Sequence, residues 1–81
     1  MTSSSKIAIV TGAGTGIGKA VALALLKEGY RVAIAGRRKE LLEQVATQAG
    51  EAKARTLVVP TDVANRDSIL NLFARTKEAY G

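Results

Sequence analysis

The chain has 81 residues, with 12 Lys and Arg against 7 Asp and Glu for a formal charge of +5, and it contains no cysteine and no histidine. One small domain is the ceiling at this length, and such a chain buries only about 60% of the surface its unfolded form exposes. Without Cys or His it can hold no disulfide, no zinc site built on those ligands, no Ser-His-Asp triad and no Cys-His dyad.

Residues 1–5 are small and polar and read as a loose N-terminal arm. Ile7-Ala8-Ile9-Val10 is a continuous apolar run, the pattern of a strand covered on both faces, as in a parallel sheet. After a glycine-rich turn, Ile17, Ala20, Val21, Ala24 and Leu25 recur at helical spacing, which predicts that this stripe packs on the core. Gly29 is placed to end that helix. A second strand is expected over 31–35, with Val32 and Ile34 as its apolar members. Residues 39–49 carry Leu41, Leu42, Val45, Ala46 and Ala49 on one helical face, closed by Gly50. Residues 56–59 form a third strand, ended by Pro60, which has no N–H for a sheet ladder. Asn65 is a good N-cap for a last helix bearing Ile69, Leu72, Phe73 and Tyr80, and Gly81 ends it.

This β-α-β-α-β-α alternation predicts an α/β fold with a parallel sheet wound right-handed, the first half of a three-layer, doubly wound, Rossmann-like architecture with strand order 3-2-1. In that order the first strand keeps a free, hydrophobic edge. Residues 6–81 are therefore expected to be the N-terminal half of a dinucleotide-binding domain, part of a longer single-domain protein. Most cations stand alone; only Arg37, Arg38 and Lys39 form a run. With two Tyr and one Phe for stacking, the charge reads as solvated surface rather than a nucleic-acid face. A small basic nucleic-acid binder would instead show itself by salt-dependent binding. No run approaches the roughly 20 apolar residues of a membrane span, and a cytoplasmic location is expected.

The turn between the first strand and first helix carries the chemistry. Backbone N–H groups and a helix N-terminus converging on one point suit a phosphate or diphosphate. Gly12 would allow the sharp turn, Gly16 the close approach of backbone to phosphate, and Gly18 close packing of helix on strand. The P-loop pattern fails here, because its first glycine falls on Ala13 and its Ser/Thr on Ala20. G-x-G-x-x-G fails too, its last glycine falling on Ile17 or Lys19. T-G-x-x-x-G-x-G fits, through Thr11, Gly12, Gly16 and Gly18.

That spacing, between a strand and a helix, resembles the short-chain dehydrogenase/reductase family. Thr11, Gly12, Gly14, Thr15, Gly16, Ile17 and Gly18 are the candidate cofactor-binding residues of the turn. In dinucleotide folds an acid at the end of the second strand accepts from the ribose 2′-OH of NAD, whereas a basic residue pairs with the 2′-phosphate of NADP. Here the acidic position holds Gly36, which leaves room, and Arg37 offers a planar fork, with Arg38 as second candidate. NADP is expected over NAD. Some family members carry another basic residue just before the second motif glycine; this chain has Thr15 there. The resemblance also implies that Asp62 and Val63 lie near the adenine, Asp62 facing its amino group. Asp62 could equally serve only to organise its own turn.

The resemblance implies hydride transfer between nicotinamide and a carbonyl or secondary alcohol, in a dimer or tetramer of identical subunits. The family's Ser, its Y-x-x-x-K pair and its N-N-A-G segment are not in these residues: Tyr30 is followed four positions on by Ile34, and Tyr80 by Gly81 alone. No catalytic and no metal-binding residue is expected within the chain. The other reading is a non-catalytic nucleotide-binding or sensor module on the same fold.

Overall fold

Val32, Ala33, Ile34 and Ala35 have no exposed surface, and their strand is the centre of the molecule. The computed structural model describes residues 6–80; the expected arm over 1–5 and Gly81 lie outside the described residues. The central strand, β2 (Arg31–Gly36), is flanked by β1 (Ile7–Val10) and β3 (Thr56–Pro60) in the order β1-β2-β3, which is 3-2-1 read from the other edge. Both pairings are parallel, with Ile7 opposite Arg31 and Val32 opposite Thr56.

Alternation along β2 divides the core in two. Val32 and Ile34 face the helices α1 (Gly16–Lys27) and α2 (Lys39–Gln48), packing with Leu26, Leu42 and Val45. Ala33 and Ala35 face α3 (Arg66–Tyr80), where Leu72 meets Val59. Two helices on one face and one on the other make three layers.

The rotation of α1 differs from the expected one. Ala22 and Leu26 are buried, whereas Ala20 and Ala24 are exposed, Ile17 is 83% exposed and Val21 43%. Leu25, the last member of the expected stripe, is half-buried. Gly18 sets the rotation. A Cβ there would overlap the Gly12 carbonyl oxygen, so Gly18 must face the turn. Ala22 and Leu26, each four residues further on, then follow it onto the core side. In α3, Leu72 and Thr76 are buried, and Phe73, expected inward, is 55% exposed.

Capping follows the sequence. Gly29 has φ +93°, and the Gly29 and Tyr30 N–H groups donate to the Leu26 and Leu25 carbonyls, a Schellman close to α1. The Asn65 side-chain oxygen accepts from the Ser68 N–H at 3.0 Å, capping α3. A 3₁₀ segment, Gly50–Arg55, was not legible in the sequence. It delivers Arg55 to the end of α1, where Nη2 donates to the Leu26 carbonyl at 2.8 Å. The Tyr80 hydroxyl donates to the Arg55 carbonyl at 3.1 Å. Burial pushes that hydroxyl above its ordinary pKa, against the opposing pull of the Arg31 guanidinium. Among the described residues no helix is long and apolar enough to cross a membrane.

Candidate functional site

All three strands end at one side of the sheet, and the first strand's turn is folded back over that end. Gly12 and Gly16 sit at φ +64° and +58°, the left-handed region that side chains with a Cβ rarely adopt. Between them Ala13 is fully buried, and its N–H donates to the Ala35 carbonyl at 3.0 Å, which pins the turn to β2. Gly18 closes the arrangement by admitting the Gly12 carbonyl where a Cβ would stand. The close approach served by Gly18 is thus turn against helix, a tighter constraint than helix against strand.

The N-terminus of α1 lies at this end of the sheet, and among the described residues no side chain caps its amides. Thr15 occupies the N-cap position in extended backbone but makes no side-chain hydrogen bond, and the first turn holds no acid. Unclaimed first-turn N–H groups and the positive end of the helix dipole favour an anion.

A cleft of about 480 Å³ opens beside the turn. Gly12, Gly14 and Thr15 of the turn line it together with Arg37, Arg38 and Val63. Four further residues line it: Gly36, Leu41, Leu42 and Thr61. The sequence showed Leu41 and Leu42 only as core positions of α2. Leu41 doubles as a cleft wall because Gly14 lies against it; a Cβ at Gly14 would come within 3.0 Å of the Leu41 Cβ. Thr61 is buried, its hydroxyl donating to the Val59 carbonyl at 2.8 Å. A polar residue next to Asp62 was the available signal for it. Thr11, Gly16 and Gly18 shape the turn without lining the cleft, and Ile17 stands largely in solvent on the first turn of α1.

Asp62 stands between the lining residues Thr61 and Val63 without lining the cleft itself, and it organises its own turn. Its N–H donates to the Ser68 Oγ at 2.8 Å, and its Oδ1 accepts from the Ala64 N–H at 2.9 Å. Arg37 Nη2 lies 3.4 Å from the same Oδ1, the one ion pair among the described residues. Arg38 is the N-cap of α2, and no side chain caps that helix either. The cleft can therefore hold an anionic, partly apolar molecule: amides and guanidinium groups for phosphate, Leu41, Leu42 and Val63 for a flat apolar surface. Among the described residues no group of His, Cys, Asp or Glu could hold a metal ion. Tyr30 packs against the core beside α1, and Tyr80 bonds Arg55; both are remote from the cleft lining.

Comparison with known proteins gives a family model described as short chain dehydrogenase, matching residues 6–81. An uncharacterised oxidoreductase of Staphylococcus aureus is 46% identical over 76 residues, which cover 94% of this chain and 32% of that protein. The chain thus spans about a third of the length of the curated relatives it matches. Among solved structures, a 3-ketoacyl-(acyl-carrier-protein) reductase from Brucella melitensis complexed with NADH superposes with a TM-score of 0.85 at 32% identity, covering 94% of this chain and 30% of that one. A short chain dehydrogenase/reductase from Burkholderia phymatum in complex with NAD gives a TM-score of 0.88 at 32% identity, covering 94% and 27%.

Proposed function

The chain belongs to the short-chain dehydrogenase family, and from that premise we propose that it is the NADP(H)-binding half of a longer oxidoreductase that moves hydride between a nicotinamide and a carbonyl or secondary alcohol. The observation that carries the proposal is the cleft itself, lined by Gly12, Gly14 and Thr15 of the turn that leads into α1 and by Arg37 and Arg38. The nicotinamide dinucleotide, when bound, supplies or accepts the hydride. The residues of this chain bind and orient it. The turn from Gly12 to Gly18 holds the diphosphate on backbone N–H groups. Gly36 leaves space beside the ribose, Arg37 grips a 2′-phosphate with a fork of donors, and Arg38 adds a second charge. Asp62 and Val63 border the adenine. Ile17, 83% exposed on the first turn of α1, would offer the bound cofactor an apolar surface.

Two solved relatives hold NADH or NAD. For this chain the selection of NADP rests on the end of β2, where Gly36-Arg37-Arg38 offers cations and no carboxylate acceptor for a 2′-OH. The acid–base residues and the substrate pocket belong to the remainder of the longer protein, which we place in the cytoplasm as a dimer or tetramer.

Calorimetric titration of the protein at its natural length tests this reading. NADPH is expected to bind at least about tenfold more tightly than NADH, a difference of roughly 1.4 kcal/mol. Equal or tighter binding of NADH would remove the NADP assignment. Binding of neither nucleotide would remove the function.

A further inference from the structure

We propose that Asp62 positions Arg37 over the cleft and thereby sets how strongly the site separates 2′-phosphorylated from unphosphorylated dinucleotides, a role that rests on the cofactor reading above. The two residues lie 25 positions apart and are brought together by the sheet. Gly36 is opposite Pro60 in the β2–β3 register, and the Thr61 N–H donates to the Gly36 carbonyl at 2.7 Å. Arg37 and Asp62 therefore leave the two strands side by side.

The partners differ in freedom. Asp62 is fixed from three directions: its N–H by Ser68 Oγ, its Oδ1 by the Ala64 N–H, and its carbonyl by the Asn65 N–H at 2.9 Å. Arg37 is a long side chain, 74% exposed, and among the described residues its side-chain polar contact is the one to Asp62. A guanidinium left to itself would sample many rotamers, most of them away from the cleft. Held at Asp62 by Nη2, it keeps its other N–H donors free for an incoming phosphate. An ion pair this exposed contributes little to folding stability. Its effect is orientation, and it strengthens once a ligand covers the pair and displaces water.

Asp62→Asn separates this role from the others. The amide oxygen of Asn still accepts from the Ala64 N–H, so the turn is kept, but the charge that holds Arg37 is gone. Dissociation constants for NADPH and NADH are measured by calorimetry on the protein at its natural length. The preference for NADPH over NADH is expected to fall about 3- to 10-fold. In an Arg37→Ala background, the same change is expected to leave the ratio unmoved. An unchanged ratio in the single variant overturns the proposal. So does a raised one, which would mean that the carboxylate acts mainly by repelling the phosphate. An equal fall in the Arg37→Ala background overturns it as well. A melting curve checks folding, and Asp62→Ser, whose hydroxyl can also accept from Ala64, serves if the Asn variant does not fold. Absence of any NADPH preference in the unmodified protein removes both this role and the cofactor reading. Retention of the full preference in Asp62→Asn removes this role alone.

Discussion

Replacing Arg37 with Asp is expected to weaken NADPH binding by about 100-fold or more while leaving NADH binding unchanged or improved. Losing one partner of a desolvated, hydrogen-bonded charge pair costs about 2–5 kcal/mol, and 100-fold corresponds to about 2.7 kcal/mol. The substitution does more than delete the fork. It sets a carboxylate where a 2′-phosphate would lie, and that carboxylate repels the phosphate. For NADH the new carboxylate sits at the end of β2, where an acid accepts from the ribose 2′-OH. The measurement is a pair of titrations on each protein. Equal loss for both nucleotides would show that Arg37 is not the selector.

Gly18→Ala is expected to lower stability by about 2 kcal/mol or more and to abolish binding of NADPH and NADH alike. Overpacking costs typically about 1–3 kcal/mol, and here the obstacle is backbone rather than a flexible side chain. The added Cβ would overlap the Gly12 carbonyl and lie 3.1 Å from the Thr11 oxygen. The turn cannot step aside freely, because the Ala13 N–H ties it to Ala35. Gly16→Ala is the informative comparison. Its Cβ would meet open space, so the cost is the left-handed backbone alone, about 1–2 kcal/mol. At about 4–8 °C per kcal/mol for a domain of this size, thermal melts will separate the two variants. A Gly18→Ala protein with unchanged melting and binding would contradict the packing of the turn.

The strands and the glycine turn were legible because their signals are local. A continuous apolar run, a Thr-Gly start, glycines at fixed offsets and an Asn before the last helix each state their own structure. The rotation of α1 was not legible. From Ala20 to Leu26 every residue is apolar, so periodicity admits more than one inward stripe. What chooses between them is the contact of Gly18 with Gly12, a tertiary fact. Leu41 reads as core because a helix face does not reveal that its first turn borders a cleft. The pairing of Arg37 with Asp62 depends on the parallel register of β2 and β3, which no local pattern encodes. The sequence leaves Asp62 two roles, and its bonds to Ala64, Ser68 and Asn65 establish the turn-forming one.

The central claim is that a dinucleotide's diphosphate rests on the backbone amides between Gly12 and Gly18. The most direct measurement follows the ¹⁵N–¹H resonances of the protein during titration with NADPH. The largest shifts are expected at the amides of Gly14, Thr15, Gly16, Ile17 and Gly18, with a second group at Arg37 and Arg38. Saturable binding that leaves those turn amides unmoved, with shifts elsewhere on the sheet, would contradict it.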